Sequence, residues 1–416
     1  MNKTFRPDAP AHRLPIGRGE FIAIAAALMA VNALAIDIML PAMQQIGAAL
    51  GVEDENQRQL VITAYVVGFG AAQLIFGPIA DRFGRRGPLL IGLGIYVAAA
   101  VLAAFAPSFW MLLLMRTLQG VGAAATRVIA VSMVRDRFGG RQMAEVMSLV
   151  MMVFMIVPVI APGAGQVLLL VADWQMIFIF MGFVAAGIAL WFFVRMPETL
   201  AEENRRAFNP RTILDGFRIV LGNRLAFCYA LATALIFGGL FGFINSAQQI
   251  FIDVYALGAW FPVLFAVLAS MMAISSFLNS RLVGRFGMRG LSHFALFGYI
   301  AATTIWIVWA LIAPMPLFAF VGLFGAAMFM FGWIGPNFNA LAMEPLGHVA
   351  GTASSVLGFL QTLGGGLIGA YIGLSFDGTV VPLAIGYFVS GVGGLALVLI
   401  AENGRLFQAR HQPTAR

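Results

Sequence analysis

Asp37, Arg116 and Arg127 stand inside apolar runs of the chain, in AIDIMLPAM and in MLLLMRTLQGVGAAATRV. A charged side chain in hydrocarbon is expensive, and such residues usually face the interior of a helix bundle and mark a pathway for ions or ligands. Asp37 is the one acidic residue well inside such a run. Counted along their helices, Asp37 and Arg116 lie about six and about seven residues from the same face of a bilayer, so they share a depth. An ion pair between them is expected, either as a structural bridge or as a pair in which Asp37 takes up and releases a proton while Arg116 tunes it. Arg127 follows Arg116 by eleven residues, about three helical turns, which places both on one face with Arg127 about 16 Å further along. Two arginines against one aspartate leave surplus positive charge, which favours anionic, zwitterionic or neutral ligands over lipophilic cations. Alternatively, Arg127 bonds carbonyls or pairs with Glu145.

The elements that carry these residues follow from composition. Of 416 residues, 61% are hydrophobic and 10% charged, with a mean hydropathy of +0.92, whereas soluble domains carry about 25% charged residues. Runs long enough to cross about 30 Å of hydrocarbon predict twelve helices, near 20–42, 58–80, 87–106, 109–134, 142–170 and 173–195, then 225–247, 258–281, 290–312, 316–343, 346–374 and 380–401. The helices over 109–134, 142–170, 316–343 and 346–374 exceed a minimal span, so tilt or kinks are expected there.

Charge tests the count. One side collects Lys3, Arg6, Arg13, Arg18, Arg82, Arg85, Arg86, Arg135, Arg137 and Arg141, the six arginines from Arg195 to Arg224, and Arg281, Arg285, Arg289, Arg405, Arg410 and Arg416. The other side has Arg58 among Glu53, Asp54, Glu55, Asp173, Asp253 and Asp377. Under the positive-inside rule both termini face the cytoplasm of a bacterial-type inner membrane. The net charge of +7 is therefore topogenic and no nucleic-acid partner is expected. Residues 1–19 are polar, which argues against signal cleavage. Cys228 stands alone, and His12, His293, His348 and His411 are dispersed, so neither a disulfide nor a metal site is expected.

The organisation reads as a tail at 1–19, a six-helix half at 20–195, a linker at 196–224 containing PETLAEENRRAFNPR, a second half at 225–401, and a tail at 402–416. GPIADRFGRRG at 77–87 recurs, weakened, as SRLVGRFGMRG at 280–290, between the second and third helices of each half. Duplicated halves related by a pseudo-twofold axis, with a binding site between them near the midplane, are a known membrane architecture.

Gly77, Ile79, Ala80, Asp81, Arg82, Gly84, Arg85, Arg86 and Leu89 resemble the loop signature of the major facilitator superfamily. Glycines allow the tight turn, and arginines hold the loop to an anionic leaflet. The resemblance implies that Asp81 faces the start of the eleventh helix, near Pro345 to Ala350, and latches the halves in an outward-facing state. In the second copy Gly284 replaces the aspartate, so the latch is one-sided. Leu112, Arg116, Gln119, Gly120, Gly122, Ala123 and Ala124 are similar to a motif of proton-coupled members. VPVIAPGAGQ, with Pro158, Pro162, Gly163 and Gly165, resembles the antiporter motif of drug-efflux members, though Ala161 and Gln166 replace two of its glycines. Proline kinks and small residues suit close packing at a gate, or simply an ordinary kinked span.

IDIMLPAM, VRDRF, MPETL and IGPNFNALAM narrow the likeness to the Bcr/CflA-like branch of twelve-span drug:proton antiporters. The resemblance implies an all-α membrane protein of two pseudo-symmetric six-helix halves that exports small organic molecules in exchange for protons. It implies no enzyme activity and no cofactor beyond the proton, and its expected partners are a small-molecule substrate, protons and the bilayer, with the protein monomeric. In this fold helices one, four, seven and ten line the cavity, nominating Asn32, Arg127, Phe241, Asn245, Trp333, Asn337 and Asn339. Gly365, Gly369 and Gly373 read as a packing face of helix eleven. Transport of an anionic metabolite or siderophore-like compound is the alternative, and a membrane sensor or intramembrane enzyme a remote one.

Overall fold

The structure is a computed structural model that describes residues 16–138, 140–205 and 210–408. Lys3, Arg6, His12, Arg13, Arg206, Arg410, His411 and Arg416 lie outside the described residues, as do the side chains of Arg141 and His348.

Among the described residues all regular structure is helical, as hydrocarbon demands of a backbone with no water to bond. Twelve helices are long and apolar enough to cross a membrane: Arg18–Ala49, Glu55–Phe83, Arg86–Ala104, Phe109–Arg137, Glu145–Val171, Gln175–Arg195, Arg224–Val254, Gly258–Phe286, Met288–Ile312, Leu317–Leu346, Ala353–Leu374 and Val381–Ala401. They are called spans one to twelve below. Three of them start on side-chain caps: Asp54 accepts from Asn56 N at 2.9 Å, Ser108 from Met111 N at 3.3 Å and Asn223 from Ala226 N at 3.0 Å.

Breaks and π-helical turns interrupt three spans, of which the eleventh is among those expected to tilt or kink. The first breaks after Asp37 into a short 3-10 turn, Leu40–Ala42, and a helix, Met43–Ala49. Pro41 is the cause: it lacks the amide that would bond the Asp37 carbonyl four residues back, and its ring crowds that carbonyl. The seventh continues through a π-helical turn, Ile250–Val254, and the eleventh contains another, Leu360–Gly364. The linker is not all loop, since Pro210–Gly222 is an amphipathic helix whose Phe217 packs edge-on to Phe359 of span eleven, 5.6 Å between centroids.

Packing repeats from one half to the other. Spans two and four, three and four, three and six, one and five, one and four, and one and six pack together in the first half. Their counterparts eight and ten, nine and ten, nine and twelve, seven and eleven, seven and ten, and seven and twelve do so in the second. The halves meet where span two packs on eleven and span five on eight, and a twofold axis exchanges these two contacts. The turn repeats as well: Gly84 has φ +90° and Gly287 φ +73°, the same glycine of each copy of the loop sequence, in a region L side chains disfavour.

Candidate functional site

Asp37 is the last residue of the first helical segment, 4% exposed, at the turn that Pro41 breaks. It has no hydrogen bond or ion pair among the described residues. Gly165 of span five lies over this turn, so close that a Cβ there would overlap the Ile38 carbonyl oxygen and stand 3.1 Å from Pro41 Cγ. The small residue of the proline-glycine motif and the buried acid therefore belong to one contact. Gly163 takes no part in it, because a Cβ there would meet nothing within 4 Å. Pro162 is buried and Pro158 half-buried in the same helix, Gly140–Val171.

The expected pair between Asp37 and Arg116 is not formed. Arg116 is fully buried and donates to Val61 O at 3.1 Å, Ala35 O at 3.0 Å and Gln119 Oε1 at 2.6 Å. The last carbonyls of a helix lack intrahelical amides, and the break at Asp37 leaves Ala35 O in that position. Arg116 satisfies it, with the Tyr65 ring 4.6 Å from its guanidinium. The guanidinium thus holds the end of the first helix rather than the carboxylate beside it.

Arg127 differs from Arg116. It lies over Phe69 at 5.8 Å and makes no hydrogen bond or ion pair among the described residues. Neither expected alternative holds: it bonds no carbonyl, and Glu145 pairs with Arg18 at 2.8 Å instead. Beside it, Asn32 donates to Thr126 Oγ1 at 2.9 Å and accepts from Tyr65 Oη at 3.2 Å, tying spans one, two and four together.

The second half sorts its nominated residues. Asn339 donates to Gln361 Oε1 at 3.2 Å, across to span eleven. Phe241 lies against Gly369 and Asn245 against Gly373, while Phe237 lies against Gly365, so the three glycines do form a packing face. Trp333 and Asn337 are tied to span eight. The Trp333 indole donates to Ser275 O at 3.0 Å, and Asn337 donates to Asn279 Oδ1 at 2.7 Å, so both bind span ten to span eight.

On the arginine-rich face, Gly77 packs against Ser355 of span eleven, where a Cβ would stand 3.0 Å from its hydroxyl. Asp81 bonds Arg85 at 2.6 Å, and Arg85 also donates to Asp136 at 2.8 Å. Burial alone would lower the Arg85 pKa, but these two carboxylates outweigh it and raise it above its ordinary value. Glu198, in MPETL, accepts from the backbone amides of Arg85 and Arg86 at 2.8 and 3.1 Å, and Arg86 reaches Phe193 O at 2.7 Å. Arg82 is exposed. The charged groups of the loop are thus bonded within their own half, Asp81 to Arg85, while Gly77 meets span eleven.

Two groups were not anticipated. A buried cluster mirrors the first loop in the second half: Arg289 donates to Glu344 at 2.8 Å and Glu402 at 2.7 Å, and Tyr229 Oη lies 3.0 Å from both Glu402 and His293 Nε2. AENG at 401–404 stands where PETL stands in the first half, and aligning the halves beyond the loop would have exposed it. On the arginine-poor face, amides join the halves. Asn56 donates to Phe376 O at 2.8 Å, Gln249 donates to Asn56 at 2.7 Å, and Gln59 bonds Gly373 O at 3.0 Å and also Gln249. Uncharged amides near span ends carry no sequence signal, and nothing in their spacing pointed to them.

Residues 23–370 match the Major Facilitator Superfamily. The uncharacterized MFS-type transporter YdgK of Bacillus subtilis is 32% identical over 374 residues, 88% of this chain and 91% of its own. A bicyclomycin resistance protein homolog of Haemophilus influenzae is 29% identical, covering 84% of this chain and 87% of its own. Multidrug resistance protein D of Escherichia coli is 29% identical, covering 82% and 85%. Among solved structures, the human organic anion transporter MFSD10 superposes with a TM-score of 0.69 at 17% identity, over 92% of this chain and 99% of its own. The xylose transporter XylE of E. coli, partially occluded and inward open, gives 0.69 at 12% identity, over 95% and 99%. At such identity these two bear on the fold alone. The chain belongs to the Major Facilitator Superfamily, is similar to relatives named for bicyclomycin and multidrug resistance, and is a transporter of small molecules rather than an enzyme.

Proposed function

We propose that the protein exports small drug-like organic molecules across the inner membrane in exchange for protons, by alternating access, with its arginine-rich face and both termini in the cytoplasm. The observation that carries this reading is Asp37, a buried carboxyl with no ion-pair or hydrogen-bond partner, on a proline-broken turn packed under Gly165. Such a group can gain and lose a proton without dismantling a salt bridge. Because span five covers the same turn and also packs against span eight of the other half, a change at Asp37 is passed to the interface between the halves. Protonation from the periplasm, rocking of the halves, and release of a substrate taken from the cytoplasm complete the cycle. The resistance-protein names of two relatives agree with an export direction.

Proteoliposomes with an imposed pH gradient, loaded with chloramphenicol or bicyclomycin as probes, test this. Gradient-driven flux with coupled proton movement is expected, and Asp37→Asn should abolish the coupling. Flux and proton movement unchanged in Asp37→Asn would remove Asp37 as the carrier, and accumulation of the probes in cells expressing the protein would reverse the direction.

A further inference from the structure

Arg127 is a guanidinium in the membrane interior with no carboxylate paired to it among the described residues. Two carboxylates near its end of the helix are engaged elsewhere, Glu145 with Arg18 at 2.8 Å and Asp136 with Arg85 at 2.8 Å, while Asp37 lies beside the Ala35 carbonyl that Arg116 bonds, three turns or about 16 Å away along the helix. Arg116, on the same helix face, has its donors on two carbonyls and Gln119, whereas Arg127 meets only the face of Phe69. Arg127 is only half-buried, and an unpaired charge in the membrane interior is costly.

Its direction follows from its neighbours. Thr126 turns to Asn32 on span one, and Val128 stands 3.9 Å from the position of a Cβ on Gly77 of span two. Successive helical residues are about 100° apart, so Arg127 projects between spans one and two, toward the other half. At that depth the other half is aromatic. Gly366 lies against Val66 and Gly365 against Phe237, so Phe237 is level with the turn that carries Phe69. Phe237 packs with Phe331 at 5.0 Å and with Phe241 at 6.5 Å.

We propose that Arg127 is an anion-recognition residue that binds the carboxylate of an amphiphilic substrate, whose apolar body lies between Phe69 and the Phe237, Phe241 and Phe331 cluster. The inference takes its setting from the transport reading above and narrows its substrate class. A planar guanidinium offers a carboxylate two parallel charge-assisted hydrogen bonds. The incoming carboxylate also neutralises the surplus positive charge that Arg127 leaves in the interior. A cationic substrate would meet like charge at the same point.

The test is equilibrium binding of 2-naphthoate and of its uncharged isostere 2-naphthamide to the full chain in lipid nanodiscs, by calorimetry at neutral pH without a proton gradient. Wild type should bind the carboxylate at least about tenfold more tightly than the amide. Arg127→Gln should bring the ratio close to one while leaving naphthamide affinity in place. Arg127→Lys should give an intermediate ratio, since a point charge lacks the guanidinium fork, and it decides the question should the glutamine variant fail to fold. Equal affinities in wild type, binding of neither probe, or a preference that survives Arg127→Gln would each overturn the proposal. Asp37 is intact throughout and no gradient is applied, so this result stands or falls separately from proton coupling. Loss of coupling in Asp37→Asn, conversely, says nothing about the carboxylate preference.

Discussion

A side chain on Gly165 would overlap the carbonyl oxygen of Ile38, one residue beyond Asp37. Span five therefore rests directly on the break in span one, and the acid that breaks the apolar run is positioned by a helix of the opposite end of its half. Overpacking a tight contact costs roughly 1–3 kcal/mol. Gly165→Ala is expected to lower the thermal unfolding midpoint in detergent and to slow chloramphenicol flux, while Gly163→Ala, which enters open space, leaves both unchanged. Equal effects of the two substitutions would show that the contact is not specific to Gly165.

On the arginine-poor face the halves are held by Asn56, Gln59 and Gln249, a short network of amides and carbonyls. Neutral hydrogen bonds of this kind contribute about 1 kcal/mol each, weak enough to break in a transport cycle. Removing three of them with Gln59→Ala and Gln249→Ala should favour opening on this face. Asn245 lies one turn inside Gln249 and is buried, so it reports that opening. In a Cys228→Ser background, Asn245→Cys should react several-fold faster with a membrane-impermeant maleimide when the amides are gone. Unchanged labelling would mean that other contacts hold this face shut.

The loop between spans two and three makes a graded prediction. Arg85 is buried between Asp81 and Asp136, whereas Arg82 is exposed. Deleting one partner of a buried pair costs about 3–5 kcal/mol, and the partial exposure of Asp81 reduces this to about 2–3 kcal/mol. Arg85→Ala should therefore destabilise the protein strongly, measured as loss of folded monodisperse material on heating, and Arg82→Ala should be close to neutral. Arg85→Lys should recover part of the loss, because an ammonium cannot serve two carboxylates with the geometry of a guanidinium.

These cases mark what the sequence makes legible. Twelve spans follow from hydropathy and charge because each span must satisfy its own backbone in lipid, a local condition that leaves a local signal. The repeat carried further than the pattern required, since Gly84 and Gly287 adopt positive φ at the same register. Depth along a helix was readable as well: Asp37 and Arg116 do come to the same region of the bundle, joined through Ala35 O. Partners were not readable. Arg116 turns to Ala35 O, near the end of the first helical segment, and to Val61 O of span two, and that Trp333 bonds span eight depends on rotation about the helix axis, which residue counting does not fix.

The relation between Asp37 and Arg116 yields the last prediction. Were they an ion pair in this state, removing either would leave the other buried and unpaired, and the two substitutions would be strongly coupled. Here Arg116 donates to Ala35 O, Val61 O and Gln119, while Asp37 stands apart. Arg116→Ala should thus destabilise the protein by orphaning the Ala35 carbonyl and the Gln119 side chain, and it should do so equally with Asp37 or with Asn at position 37. In a double-mutant cycle on unfolding in detergent, Asp37→Asn and Arg116→Ala should add to within about 0.5 kcal/mol, the range for residues that share no direct interaction. A coupling well above that would place the carboxylate on the guanidinium after all. Additive stability combined with non-additive loss of proton-driven flux would instead mean that the two meet only during turnover, when Ala35 O releases Arg116.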